Sequence, residues 1–149
     1  MATFQYGYEV VPSDYGEFRF IRISDINEFG EISEKEKKYV NLPAGMDKNK
    51  FLLKSGDILV EMIGNYSRTA IFQSGELSVF SGKLIKISFK KEVLPVYYWH
   101  FAQTKPYFSQ VENLTQGSSQ PSFGANSLEN IILPIPPLAK QQEIIMELT

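Results

Sequence analysis

The stretch KLIKISFKKEVLPVYYWHF, residues 83–101, holds two periods, and the point where one replaces the other decides the fold class. Up to Lys90 the chain reads as strand, the end of LSVFSGKLIKISFK (77–90). From Leu94 onward Leu94, Tyr97, Tyr98 and Phe101 fall at i, i+3, i+4 and i+7, the stripe of an amphipathic helix, with Pro95 tolerated at its first turn. Upstream lie further strands. TAIFQ (69–73) is separated from the next by Gly75, and Ser55-Gly56 introduces a strand from Asp57 to Ile63 in which Ile58, Val60 and Met62 face away from Asp57, Leu59 and Glu61. GEFRFIRISDI (16–26) sets Phe18 and Phe20 against Arg19, Ile21 and Ile23, and Gly30 marks a turn. Downstream, Pro106 ends or kinks the first helix and a second runs towards Leu114. TQGSSQPSFGANS (115–127) is a polar loop with a possible cap at Ser127. NIILPIP (130–136) reads as a last strand held to an edge or an end by Pro134 and Pro136. Strands first and helices later predict an α+β domain: a twisted mixed β-sheet with packed helices and a C-terminal helical arm.

The 149 residues are 43% hydrophobic and 13% aromatic, enough for one domain with a core. No apolar run reaches bilayer length, and MATFQYGYEV lacks the basic head and apolar centre of a signal peptide, so a cytoplasmic protein with no membrane partner is expected. The chain has no cysteine, which removes thiolate zinc sites and cysteine nucleophiles. The net charge of −2 argues against a uniformly basic nucleic-acid surface. Charge is uneven, however: residues 1–34 carry seven acids and two arginines, whereas Lys35, Lys37, Lys38, Lys48, Lys50 and Lys54 outweigh Glu36 and Asp47 in the next twenty positions. Such lysines also serve as ordinary solubilising surface.

Nothing in the sequence spells out catalysis, a metal site or a cofactor. Asp57 and Glu61 would stand roughly 13 Å apart at ~3.3 Å per strand residue, too far for a glycosidase-type acid pair. His100, between Trp99 and Phe101, fits a structural histidine, and no phosphate-binding loop, dinucleotide fingerprint or nucleophile elbow is present. The loops are richer. Asn65, Tyr66, Ser67 and Arg68 connect two strands, and Asn and Arg are the side chains that pair bidentately with adenine and guanine edges. Gln116, Ser118, Ser119, Gln120 and Asn126 add uncharged donors and acceptors, and Lys48 and Lys50 add cations for phosphates.

FRFIRISDI, LLKSGDILVEMIGNYSRTAIF, LPVYYWHF and GSSQPSFGANSLENIILPIPPLAKQQEI, in this order, resemble one half of a specificity subunit of a type I restriction-modification system. The resemblance runs over nearly the whole chain and implies a target recognition domain over 1–136, with the start of the conserved spacer helix at 137–149. It implies sequence-specific recognition of half of a bipartite target in double-stranded DNA. Methylation would belong to a separate DNA methyltransferase (modification) subunit, and cleavage to a restriction subunit engaged indirectly. The family's specificity subunits hold two such domains apart on two antiparallel helices. This chain therefore corresponds to about half of one, either a piece cut within the spacer helix or a half-subunit that pairs with a second copy. Where the family shows an acid before the spacer glutamine, this chain has Lys140.

The terminal helix fits that implication. Leu138, Gln141, Ile144, Ile145 and Leu148 form a stripe that needs a covering surface, either a partner helix, including self-association with another copy, or the chain's own domain. A competing resemblance rests on KSGDILVEMIGN (54–65), which is similar to the Gly-Asp-Ile-Leu core of a PDZ-like peptide-binding module, where an edge strand accepts a ligand strand.

Overall fold

The structure, a computed structural model, describes residues 2–61, 68–115 and 125–148. All its strands precede all its α-helices: β1 (Ala2–Tyr6), β2 (Phe18–Ile21), β3 (Lys38–Val40), β4 (Ile58–Glu61), β5 (Thr69–Ile71), β6 (Ser78–Phe80) and β7 (Leu84–Phe89), then α1 (Pro95–Phe101), α2 (Lys105–Thr115), α3 (Ala125–Glu129) and α4 (Leu138–Leu148). The α+β reading holds, and the strands divide between two sheets. One is antiparallel in the order β1-β7-β4-β5; the other, β3-β2-β6, is mixed, since β2 runs antiparallel to β3 and parallel to β6. LSVFSGKLIKISFK is thus two strands in different sheets, and the chain crosses between them at Ser81-Gly82-Lys83.

Alternation along β4 and β7 builds three layers. Ile58, Val60, Ile85 and Ile87 point to the helices, where they meet Val93, Tyr97, Tyr98, Tyr107, Val111 and Leu128. Leu59 and Leu84 point the other way, onto Ile21, Phe72 and Phe80 at the smaller sheet. Phe18, Phe20 and Val79 bury the far face of that sheet with Val40 and Leu42. The face assignments read for β2 and β4 therefore stand where described; Met62 and Ile63 lie outside the described residues.

Pro95 opens α1, as expected, and Ala102 closes it. Pro106 neither ends nor kinks α1, which stops at Phe101; it is the second residue of α2, where a residue without an N–H costs nothing in the first turn. Ser127 lies inside α3 rather than capping it.

The expected strand at 130–136 is absent: residues 131–137 carry no ladder. Pro134, Pro136 and Pro137 lack donors, so the segment is held by side chains instead. Gln110 donates from Nε2 to the Ile132 carbonyl at 3.0 Å and accepts the Ile132 N–H at 2.6 Å, and the Tyr97 hydroxyl donates to the Pro134 carbonyl at 2.8 Å.

Gln141, completely buried, fixes α4 to this frame. Its Oε1 accepts the Leu94 N–H at 2.8 Å, and its Nε2 donates to the carbonyls of Glu92 (2.7 Å) and Pro136 (2.9 Å). Leu94 is the N-cap of α1 and has no side-chain cap of its own. The glutamine amide thus serves the start of one helix while anchoring another.

Gly30 fastens the turn after β2 to the helical layer. At φ +77° a Cβ there would stand 2.4 Å from the Thr69 carbonyl oxygen, and its own carbonyl accepts the Trp99 indole N–H at 3.1 Å.

Gln141→Leu leaves three partly buried backbone groups without their partner and should cost about 2–4 kcal/mol in urea unfolding, with faster amide exchange along α4. Gly30→Ala should destabilise by about 1–3 kcal/mol and shift Trp99 fluorescence. Variants as stable as the parent would remove these two anchors from the account.

Candidate nucleic-acid interface

β4 and β5 form a hairpin whose stem closes where the Glu61 N–H donates to the Arg68 carbonyl at 2.9 Å. The connection, residues 62–67, contains Asn65, Tyr66 and Ser67, which lie outside the described residues. Arg68 at the stem is exposed on one side and tied on the other. Its Nη1 donates to the Ile26 carbonyl at 3.0 Å, and its Nε stands 3.8 Å from Glu61 Oε2. Burial pushes the Glu61 carboxyl above its ordinary pKa, and the neighbouring Arg68 charge only partly opposes this. Glu61 thus holds the arginine at the root of the loop.

The lysine turn is a short 3-10 segment, Lys48–Lys50, whose Asp47 cap accepts the Asn49 N–H at 3.2 Å. Lys50 is exposed, while Lys48 is half-buried with its Nζ 5.8 Å from the centre of the Phe18 ring. The structure does not merge this turn with the hairpin loop. Residues 48–56 lead into the Asp57 end of β4, where the Gly56 N–H donates to the Phe72 carbonyl, and Arg68 stands at the Glu61 end. The strand between spans roughly 13 Å at ~3.3 Å per residue. Gln116, Ser118, Ser119 and Gln120 lie outside the described residues, as does the Asn126 side chain.

The stripe expected on α4 is split. Gln141 belongs wholly to its own domain, and Ile144 and Ile145 pack half-buried against the helical core. Leu138 and Leu148 are exposed, at 45% and 59%, and so is Met146. Stripe arithmetic missed Met146, which lies off the chosen row. Lys140 pairs with Glu143 at 3.6 Å on the exposed side.

The carboxylates considered for catalysis are committed to structure. Asp57 accepts the Lys54 N–H and the Ser88 hydroxyl, each at 2.8 Å, and Glu61 accompanies Arg68. His100 lines a cleft of about 580 Å³ together with Trp99, Glu31 and Glu34. Burial depresses its pKa, so the ring is neutral near pH 7, and its buried Nε2 has no hydrogen-bond partner among the described residues. No group of three or more metal-ligating side chains occurs among the described residues, and no helix there is long and apolar enough to cross a membrane.

The PDZ-like reading fails on topology. Ile58–Glu61 is an interior strand, paired on one side with β7 and on the other with β5, so it has no edge to offer a ligand strand.

Several solved chains share this fold, two of them as follows. One, from work on the structural basis of complex assembly and conformational transition of the type I R-M system, superposes with a TM-score of 0.72 at 14% identity over 99% of this chain and 35% of that one. The crystal structure of the HsdS subunit from Thermoanaerobacter tengcongensis gives 0.67 at 17% identity over 98% of this chain and 40% of that one. The chain thus spans 35% to 40% of the length of these solved chains. No curated protein matches the sequence. The family model for the type I restriction modification DNA specificity domain matches residues 8–149, nearly the entire sequence. The chain belongs to the type I restriction-modification DNA specificity domain family.

Proposed function

We propose that residues 1–136 read one half of a bipartite DNA target, that residues 137–149 begin the spacer helix, and that the chain docks a DNA methyltransferase subunit without catalysing a reaction itself. The observation that carries this is the family match over residues 8–149, a domain of DNA specificity. The local chemistry is consistent with it: the two carboxylates weighed as a catalytic pair, Asp57 and Glu61, are committed to structural contacts, whereas polar side chains gather in two connections.

The two basic features then divide the work. Arg68 and the 62–67 connection read base edges, Lys48 and Lys50 hold phosphates, and residues 116–120 supply further polar contacts. Their separation along β4 spreads contacts over several base pairs. With a net charge of −2 the domain provides few phosphate contacts of its own, so the modification subunit supplies the remainder of the clamp. Leu138 and Leu148, exposed beside the half-buried Ile144 and Ile145, leave α4 an apolar strip for another helix, either the second spacer helix or a second copy of the chain. The restriction subunit is engaged through the modification subunit.

Coexpression with a DNA methyltransferase subunit of a type I system tests this. The account expects copurification and methylation confined to one bipartite sequence; a chain that never copurifies, or methylation indifferent to sequence, contradicts it. In the assembled complex Arg68→Ala should lower affinity for target duplex by about five- to 150-fold, the loss of about 1–3 kcal/mol typical of a base-edge contact, while the far-UV spectrum is unchanged. The chain alone should bind duplex weakly, with affinity falling steeply between 50 and 200 mM salt.

A further inference from the structure

Beside the lysine turn, on the face of the antiparallel sheet that carries Lys86 and Ser88, lies a polar pocket of about 440 Å³ that no reading of the hairpin loop uses. Thr3, Asn49, Lys54, Ser55 and Lys86 contribute to its wall. Lys86 is half-buried in β7, and its Nζ donates to the carbonyls of Lys50 and Leu52, both at 3.2 Å, which ties the turn to the sheet. The two carbonyls leave one ammonium proton without a hydrogen-bond acceptor among the described residues, and the ammonium also stands 5.9 Å from the centre of the Phe80 ring.

The balance of charge around this pocket is positive. Lys48, Lys50, Lys54 and Lys86 make no salt bridge among the described residues, as is also true of Lys35, Lys83, Lys90, Lys91 and Lys105; what sets Lys54 and Lys86 apart is that both line one polar pocket. The nearby carboxylates are Asp57, whose two oxygens already accept the Lys54 N–H and the Ser88 hydroxyl, and Asp47, which caps the turn. Burial, aided by the Lys54 charge, pushes the Lys86 pKa down against the pull of Asp57, as expected for a cation without enough compensating anion. The Ser88 hydroxyl donates its hydrogen bond to Asp57, so the donors without an acceptor among the described residues are Lys54 Nζ, the remaining Lys86 proton, the Asn49 amide and the hydroxyls of Ser55 and Thr3. Two cations with neutral donors, in a pocket this size, suit a tetrahedral oxyanion with part of a sugar attached.

We propose that this pocket seats one backbone phosphodiester of the DNA duplex, with Lys54 and Lys86 as its cations, and so sets the register in which the hairpin loop meets the bases. The inference rests on the DNA-recognition reading and deepens it. Lys54 makes direct contact. Lys86 does double duty, since it also holds the Lys48–Lys50 turn through its carbonyls. Because a phosphate carries no sequence information, the seat contributes equally on every duplex.

Two measurements test this separately. The chain alone, 15N-labelled, is titrated with inorganic phosphate; saturable shifts are expected at the Lys54, Ser55 and Gly56 amides, and Lys54→Ala should abolish them. The complex with the modification subunit is then titrated with target and unrelated duplexes across salt. Lys54→Ala should flatten the slope of log K against log salt by about 0.9, the contribution of one phosphate, equally on both duplexes, and Lys54→Arg should restore it. Lys105→Ala, in the helical layer on the sheet's other face, should leave the slope unchanged. Absence of saturable shifts overturns the seat. Phosphate shifts with an unaltered slope also overturn it, since the pocket then takes free anions but not DNA. A parental complex that binds no DNA defeats the recognition reading, and the phosphodiester with it, while the phosphate titration still reports whether the pocket takes an anion.

Discussion

The fold depends on a two-strand ladder with no free face. β4 and β7 pair at the centre of the antiparallel sheet, and each sends alternate residues to a different layer: Ile58, Val60, Ile85 and Ile87 to the helices, Leu59 and Leu84 to the smaller sheet. Slipping this register by one residue would exchange the two sets and point Lys86 and Ser88 into the helical core, so the register is strongly fixed. What leaves the ends of β4 is held to the same precision. One end releases the hairpin connection at Glu61 and Arg68; the other receives the lysine turn through Asp57. The polar features sit on loops, and the ladder supplies their rigidity.

The arm is attached by a different device. Between α3 and α4 the chain has three prolines and cannot join a sheet, so side chains of Gln110, Tyr97 and Gln141 take over the work of a ladder. Gln141 joins three otherwise separate points: the residues before α1, the cap of α1 and the end of the proline segment. A buried amide with both ends satisfied is directional in a way that Ile144 and Ile145 are not, so it fixes the angle at which α4 departs. That angle relates the exposed side of α4 to the connections at the two ends of β4.

Much of this was legible from local pattern. The change of period between Phe89 and Leu94, the faces of β2 and β4 and the helix after Pro106 each follow from a few adjacent residues. What depends on distant pairing was not. β3 has three residues, too few for a period; β1 does alternate, with Ala2, Phe4 and Tyr6 against Thr3 and Gln5, but its pairing with β7, like the division of β6 from β7 into separate sheets, is set by partners far away in sequence. NIILPIP has the composition of a strand, but its prolines decide otherwise. Gln141 looked like one position in an exposed stripe because nothing local reveals that Glu92 and Leu94 wait for its amide. Lys86 was invisible as a clamp for the same reason, with its acceptors at Lys50 and Leu52. The hairpin connection and the glutamine-serine loop were chosen by side-chain chemistry; their flanking residues are now placed, and Arg68 is the member of the set whose contacts are known.

The central claim is that these connections, mounted on the β4–β7 ladder, choose a DNA sequence. Its most direct test is the methylation pattern of genomic DNA from cells carrying the chain with its modification subunit, before and after residues 62–68 are replaced by the corresponding connection of another specificity domain. The account predicts that one half of the methylated bipartite sequence changes while the other half and the spacing persist. Robust methylation of an unchanged sequence would show that the hairpin loop does not read the bases.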